Sequence, residues 1–416
     1  MATKADPLAA LLATAEKKYG IIVGSMGSIA PNTEWISTGN IAIDYALGGG
    51  IPMGRTVELS GPPSSGKTTL AVQVAAEMQR IIIAGGDPKR GIHANDKIIY
   101  LDYEHAMDPK YAKALGLDLT HESLLFTQPD TLEMGADFLT AAFKTGRIRL
   151  GLVDSVAAMN PSAQAEAESV AKSLPAIQAK LMKPFGTNLV SVLKNNNGTV
   201  IFINHELEKM DMGGHRRPGM PPATTTPGGS ALKYFASVRV AFRQIRTNKG
   251  TIIDPLSNAE IEIPLSTDVR VKVIKNKVAP PFREAIVRVR FGTGFDPFWT
   301  AMQILLANKK IIYRDAYYRF HEVEALGLAP EWMPRLSTGT KQPALHGEKK
   351  VFKMADAHPE WRDGLIALAT TVASENVDLL DQVAPIRVVE EDDEEELEDE
   401  VVEMLKSQSA GTRVDI

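Results

Sequence analysis

The run Gly61-Pro-Pro-Ser-Ser-Gly66-Lys67-Thr68-Thr69 reads G-x-x-x-x-G-K-T. This spacing suits a loop that holds phosphate. Its glycines let the backbone turn tightly and come close to anion oxygens. Backbone N–H groups then converge into an anion nest. Gly61, Pro62, Ser64, Ser65, Gly66, Lys67, Thr68 and Thr69 would wrap the phosphates. The Lys67 ammonium would reach the β- and γ-phosphates, and the Thr68 hydroxyl would ligate Mg²⁺.

Two further stretches carry carboxylates at strand ends. Leu150-Gly-Leu-Val-Asp154 is an apolar strand ending in an acid, which suits holding the Mg²⁺ shell together with Thr68. Ile98-Ile-Tyr-Leu-Asp102-Tyr103-Glu104-His105 ends in two acids and a histidine. A carboxylate just past such a strand end can orient and deprotonate a water aimed at phosphate. Glu104 is assigned that role, and His105 a structural one. The plain alternative for Glu104 is a helix-capping or surface acid.

These groups must be held by regular elements. Residues 56–60 read as a strand before the loop, and helix formers over 70–79 place a helix N-terminus under the phosphates. Further strands are expected at 97–102, 150–154, 199–204, 238–245, 269–275 and 285–291. Several are continuous apolar runs, as in strands buried on both faces. The early ones alternate with helices, so a mostly parallel α/β sheet is expected; the later ones follow closely and suggest antiparallel additions. Residues 80–97 contain Gly85-Gly86-Asp87-Pro88 and read as a surface insertion.

The 416-residue length suits two or three domains. Four regions are expected: a helical arm and linker over 1–33, a nucleotide-binding core over 34–291, a small α+β unit over 292–388, and an acidic tail over 389–416. There is no cysteine, which excludes disulfides and cysteine-held zinc and fits a cytoplasmic protein. Neither a membrane-length apolar run nor a signal-peptide pattern is present. The net charge of −5 argues little against nucleic acid, because much of the acid sits in the run 390–400. That run should repel itself. It reads either as a solubilising tail or as a DNA mimic that competes for a basic groove.

The ordered motifs resemble the RecA recombinase family. They include Ile36-Ser-Thr-Gly-Asn-Ile-Ala-Ile-Asp44, the phosphate loop, Asp102-Tyr-Glu-His-Ala-Met-Asp108, Val153-Asp-Ser-Val, Phe202-Ile-Asn204, Gly228-Gly-Ser-Ala-Leu-Lys-Tyr-Phe and Val271-Lys-Val-Ile-Lys-Asn-Lys-Val278. The match runs from about residue 8 to 292, weakly to about 372. Length, insertions and departures resemble a phage-encoded relative. The resemblance implies an ATP-dependent recombinase with a RecA-like core. It would use ATP and Mg²⁺, form helical filaments or rings on single-stranded DNA, and pair it with double-stranded DNA. Single-strand-binding and loading proteins are further expected partners, and a membrane is not.

Residue by residue, the resemblance implies Asp108 and Tyr111 at the adenine, and Lys275 and Lys277 at the neighbouring protomer's γ-phosphate. His205 stands where the bacterial proteins carry a phosphate-sensing glutamine; histidine can still donate to phosphate. Pro63 replaces a glutamate in the loop, and Tyr103 replaces a small residue beside Glu104, where it would crowd the site or add packing.

Two stretches without clear periodicity, about 160–177 and 205–229, match the family's DNA loops. DNA contacts are expected from Lys172, Arg216, Arg217, Met220, Thr224, Thr225, Gly228 and Gly229. Arginine binds backbone phosphate, hydroxyls and N–H groups add contacts, and Met220 suits wedging between bases. Glycines and prolines argue against regular structure in the second loop. Two other function classes share this nucleotide core: a ring-forming motor or helicase, and a regulatory binding module. An appended primase-like or zinc-bearing domain would favour the motor, and none is visible. A binding module would lack Lys67 or Glu104.

Overall fold

A computed structural model describes residues 33–165, 175–208, 224–253, 259–336 and 342–375, together with the helical positions Leu11, Thr14 and Lys17. The centre is one nine-stranded sheet. Its strands are β1 (Thr56–Gly61), β2 (Lys97–Asp102), β3 (Leu124–Thr127), β4 (Ile148–Asp154), β5 (Thr199–His205), β6 (Val238–Ile253), β7 (Glu260–Asn276), β8 (Glu284–Arg290) and β9 (Gly294–Phe295). Their spatial order is β9-β8-β7-β6-β1-β5-β4-β2-β3. From β6 to β3 every neighbouring pair is parallel. From β6 to β9 every pair is antiparallel. The mixed sheet agrees with the sequence patterns. β3 is absent from them, because it is only four residues long and two of its side chains face outward.

Helices α1 (Ile41–Leu47), α2 (Lys67–Ile83), α3 (Pro109–Ala114), α4 (Leu132–Lys144), α5 (Pro175–Asn196) and α6 (Gly229–Phe235) accompany the sheet. The sheet divides the apolar interior in two. One face packs Leu70, Val74 and Met78 of α2 against Leu59, Tyr100 and Ile203. The other packs Leu139 and Phe143 of α4 and Leu189 and Leu193 of α5 against Ile99, Val153 and Phe202. Each fully buried aliphatic side chain contributes roughly 1.5–3 kcal/mol by leaving water. The central strands are therefore apolar on both faces and their ends are held in place.

β6 and β7 run well past their expected lengths. Pairing from Lys249↔Pro264 to Ile253↔Glu260 runs past the last β7–β8 pair, Ser266↔Arg290, and makes a two-stranded ribbon beyond the body of the sheet. Two-strand ribbons alternate weakly when both faces are wet, which hides them in sequence. The expected insertion at 80–97 is partly regular: α2 continues to Ile83, and Gly86–Asp87 pairs with Ile92–His93.

After the sheet come α7 (Pro297–Ala307), a three-stranded sheet of β10 (Ile312–Arg314), β11 (Tyr317–Arg319) and β12 (Ala344–His346), then α8 (Gly347–Ala357) and α9 (Pro359–Glu375). Phe298, Leu305, Phe320, Trp361 and Leu365 form a third buried cluster there. It is fastened to the nucleotide half through Asn40, which caps α1 and donates from Nδ2 to Thr300 Oγ1 at 2.9 Å.

Candidate functional site

Gly61 ends β1 and Gly66 opens α2. A Cβ on Gly61 would stand 2.6 Å from the Phe242 carbonyl oxygen, so only glycine fits there. Gly66 has φ 90°, the left-handed region that glycine enters without steric cost. Ser64 also has positive φ, 58°, and Pro63 is exposed at the tip of the turn. Ser65 Oγ donates to the Pro62 carbonyl at 2.8 Å and closes the turn on itself. The first N–H groups of α2 point out of the helix end toward this loop, as helix geometry requires.

Lys67 is buried at the first position of α2. Its Nζ donates to the carbonyls of Gly61 at 3.0 Å and Pro62 at 2.7 Å. Burial pushes its pKa down to about 8, against the pull of Asp154, Glu104 and Glu206. Thr68 Oγ1 donates to Asp154 Oδ2 at 3.0 Å, and the Tyr100 hydroxyl donates to the same oxygen at 2.9 Å. Burial lifts Asp154 up to about 6 despite these donors, with Glu104 adding like charge. Residues 86 positions apart are thus joined through the parallel sheet.

This pair fits Mg²⁺, which is held by one or two carboxylates and otherwise by phosphate oxygens and water. Among the described residues, no cluster of three or more histidine, aspartate or glutamate side chains could hold a metal ion. A hydroxyl and a single carboxylate beside a phosphate loop are the donors such a shared shell needs.

Glu104 follows β2, two residues beyond its end. Its Oε1 accepts a short hydrogen bond from Ser155 Oγ and lies 2.8 Å from His205 Nε2. Ser155 immediately follows Asp154, and His205 ends β5. Asp102 serves the loop instead, with Gln128 Nε2 donating to it at 3.1 Å and the backbone of Ala106 and Met107 at 3.4 Å. His105 sits at φ 55° on the exposed turn. Tyr103 points into the second buried cluster, where Gly135 leaves room for its ring. The substitution beside Glu104 therefore adds packing and does not crowd the site.

Asp108 caps α3 by accepting from Lys110 N at 2.9 Å. That cap sets the helix so that the Tyr111 hydroxyl reaches Thr69 Oγ1 at 2.9 Å. Tyr111 thereby stands beside the first turn of α2.

Lys275 and Lys277 lie elsewhere. Lys275 pairs with Arg239 across the ladder, and Arg239 pairs with Glu58, near the start of β1. The phosphate loop leaves the other end of β1. Lys275 Nζ donates to the Lys233 and Tyr234 carbonyls at 2.7 and 3.1 Å, and Lys277 Nζ to Tyr234 at 3.4 Å. These are the open carbonyls at the end of α6, where cations are favoured. Burial and the charges of Lys277 and Arg239 lower the Lys275 pKa. Tyr234, 76% exposed, and Phe282, 69% exposed, flank this edge.

The expected DNA-loop residues divide. Lys172, Arg216, Arg217 and Met220 fall outside the described residues. The margins of both loops are more regular than expected. Ser162–Ala165 is a short helix, and α5 already begins at Pro175, inside the first stretch. Leu207–Glu208 pairs antiparallel with Thr224–Thr225, so the second stretch rises from a short ribbon. Glycine and proline lie between these ends and do not break the pairing. Gly228 and Gly229, at φ 81° and 65°, turn the chain into α6.

Two residues take roles that motif reading does not assign. Gln178 Nε2 donates to the Val156 and Met159 carbonyls at 2.8 and 3.1 Å, and its Oε1 accepts from Gly228 N at 3.2 Å. It ties the exits of both loops together. Ser155 holds Glu104. Gln178 has no distinctive spacing, and the Val153-Asp-Ser-Val run does not mark Ser155 as a partner of Glu104, so only the fold reveals these roles.

Residues 7–296 match the family model of the RecA N-terminal domain. The chain belongs to the RecA family. Membership supports a recombinase role in general, with ATP, DNA binding and oligomerisation as properties of the family. Among the described residues of this RecA-family chain, no helix is long and apolar enough to cross a membrane.

Proposed function

We propose that the protein is a DNA-dependent ATPase that assembles as a helical filament on single-stranded DNA and pairs it with homologous duplex. The observation that carries this reading is the Glu104–His205 contact at 2.8 Å. It joins the carboxylate suited to activating water to the strand that leads into the second loop. DNA held by that loop would move His205, and His205 would set the position of Glu104. Asp108 and Tyr111 take the base of ATP, and the loop from Gly61 to Thr69 takes its phosphates. Thr68 and Asp154 hold Mg²⁺, which when bound neutralises charge on the β- and γ-phosphates. Glu104 removes the proton from the attacking water, an effect worth about 10²–10⁴ in rate.

Lys275 and Lys277 act on the neighbour's ATP, because they project from the opposite end of the strands. Two surfaces support a head-to-tail contact. One is the lysine edge with Tyr234 and Phe282. The other is the far edge of the sheet, where Leu125, Phe126, Met134 and Phe138 are 41–57% exposed. Unlike patches at two ends of one molecule generate open helical arrays. The arm over 1–33 is read as an oligomerisation arm, and 292–388 and 389–416 as the small C-terminal unit and the acidic tail. The departures at Pro63, Tyr103 and His205 support a phage-encoded branch, acting in the cytoplasm.

Negative-stain microscopy with single-stranded DNA and a slowly hydrolysed ATP analogue tests the assembly. Striated filaments are expected, whereas discrete rings on DNA would favour a motor. A strand-invasion assay tests pairing: joint molecules should form only with ATP and homologous duplex.

A further inference from the structure

Tyr100 and Asp154 stand on neighbouring parallel strands, β2 and β4. The register sets Tyr100 beside Leu152 and Asp102 beside Asp154. Side chains alternate along a strand, so Tyr100, Leu152 and Asp154 share one face of the sheet. The Tyr100 ring is buried in the first apolar cluster, and its centre lies 5.7 Å from that of Phe126. Only its hydroxyl is polar, and it reaches along the face to Asp154 Oδ2 at 2.9 Å.

Packing alone does not require this hydroxyl. A phenylalanine ring would fill the same space and leave no polar atom to satisfy. A buried hydroxyl is costly unless it is paired, and this one has a single partner among the described residues, Asp154. A tyrosine hydroxyl is protonated at neutral pH and a carboxylate oxygen accepts, so the direction of the bond is fixed. Thr68 Oγ1 donates to the same oxygen at 3.0 Å. Two donors thus occupy Oδ2, and among the described residues no hydrogen bond falls on Oδ1.

We propose that Tyr100 is a positioning residue for the metal site: it locks the rotation of the Asp154 carboxylate, so that Oδ1 is the oxygen presented to the cation or to a water of its shell. This role rests on the reading that Thr68 and Asp154 hold Mg²⁺. Thr68 is assigned to the metal itself, so its hydroxyl serves two partners. Tyr100 serves one, and it is anchored in the sheet rather than in the phosphate loop. A carboxylate already fixed loses less freedom when the cation binds. Outer partners of this kind typically carry about 10–100-fold in metal affinity or activity.

The test uses the full chain with a slowly hydrolysed ATP analogue and Mn²⁺ in place of Mg²⁺, with free Mn²⁺ read by electron paramagnetic resonance. Tyr100→Phe keeps the ring and removes only the hydroxyl. It should bind Mn²⁺ about 10-fold more weakly in the nucleotide complex. In EDTA its affinity for the analogue should match that of the unaltered protein. Tyr103→Phe is the control, because Tyr103 is buried in the second cluster and its hydroxyl has no partner among the described residues. It should keep the Mn²⁺ affinity. Equal losses in the two variants would reduce the effect to packing and overturn the proposal.

A double-mutant cycle shows whether Tyr100 acts through Asp154. In an Asp154→Asn background, Tyr100→Phe should cost nothing further in Mn²⁺ affinity, because the two side chains work as one unit. An undiminished loss there would reveal another route and overturn the positioning. If Asp154→Asn weakens Mn²⁺ binding while Tyr100→Phe matches the unaltered protein, the role of Tyr100 falls and the metal shell stands. Unchanged Mn²⁺ affinity in Asp154→Asn would remove the carboxylate from the shell and overturn both readings.

Discussion

Glu104 Oε1 lies 2.8 Å from His205 Nε2, and Ser155 Oγ donates to the same oxygen. The acid assigned to water activation is thus held by the ends of two different strands. Each strand continues into one of the two loops assigned to DNA. Under the proposed function, a movement of either loop would be felt at Glu104 without any contact between DNA and nucleotide.

Replacing His205 should separate DNA binding from turnover. His205→Ala should keep binding of single-stranded DNA within a few-fold and lose most of the DNA stimulation of hydrolysis. His205→Gln, which can still bond to Glu104, should restore much of it. Parallel DNA-binding and ATPase titrations check this, and full stimulation in His205→Ala would sever the proposed link.

Lys67→Ala should abolish hydrolysis by removing a phosphate-bound charge. Glu104→Gln should bind ATP and assemble normally while turnover falls about 10²–10⁴-fold. Single-turnover hydrolysis beside equilibrium nucleotide binding separates the two effects. Ordinary turnover in Glu104→Gln would assign the base elsewhere.

The double change Lys275→Ala, Lys277→Ala should leave nucleotide binding by isolated protomers nearly intact. DNA-stimulated hydrolysis should fall by up to ~10³-fold or more, as for cations supplied in trans in related NTPases. Mixing it with Lys67→Ala protein should recover part of the activity at mixed interfaces. Full activity of the double variant alone would sink the shared site.

Nucleotide-free protein should show an unusual pH response. Asp154 and Asp44 are both pushed up to about 6 by burial, from an ordinary value of 3.8. Between these values the folded state binds more protons than the unfolded state, so these two groups make stability fall as pH rises from about 4 to 6. Asp154→Asn should remove its share and raise neutral-pH stability by up to about 3 kcal/mol. Urea unfolding at pH 4.5 and 7 measures both. Mg²⁺-dependent ATP binding by the unaltered protein should weaken as pH falls below about 6, because the protonated carboxyl no longer attracts the cation.

For DNA, Arg216→Ala with Arg217→Ala should weaken binding to all sequences alike. The log–log salt slope should flatten by up to ~2 units, one for each DNA phosphate that an arginine no longer neutralises. An unchanged slope would assign phosphate binding to residues outside this loop.

Much of this could be read locally. The phosphate loop is legible because its glycines, lysine and threonine do their work within nine consecutive residues, and local spacing survives in sequence. The strands of the parallel sheet are legible because burial on both faces writes an apolar run. β3 is not legible, since four half-exposed residues write no pattern. The long ribbon is hidden for the same reason.

What the sequence by itself determined was the mixed sheet, the RecA-family resemblance, and the identity of the groups with chemical capacity. What only the tertiary structure decided was their partners. Parallel order β1-β5-β4-β2 sets Thr68 against Asp154 and Glu104 against His205, across separations of 86 and 101 residues. The antiparallel order of β6 and β7 turns Lys275 and Lys277 away from their own phosphate loop. Strand neighbours follow from how layers of side chains pack, and packing is a property of the whole chain that no local spacing records.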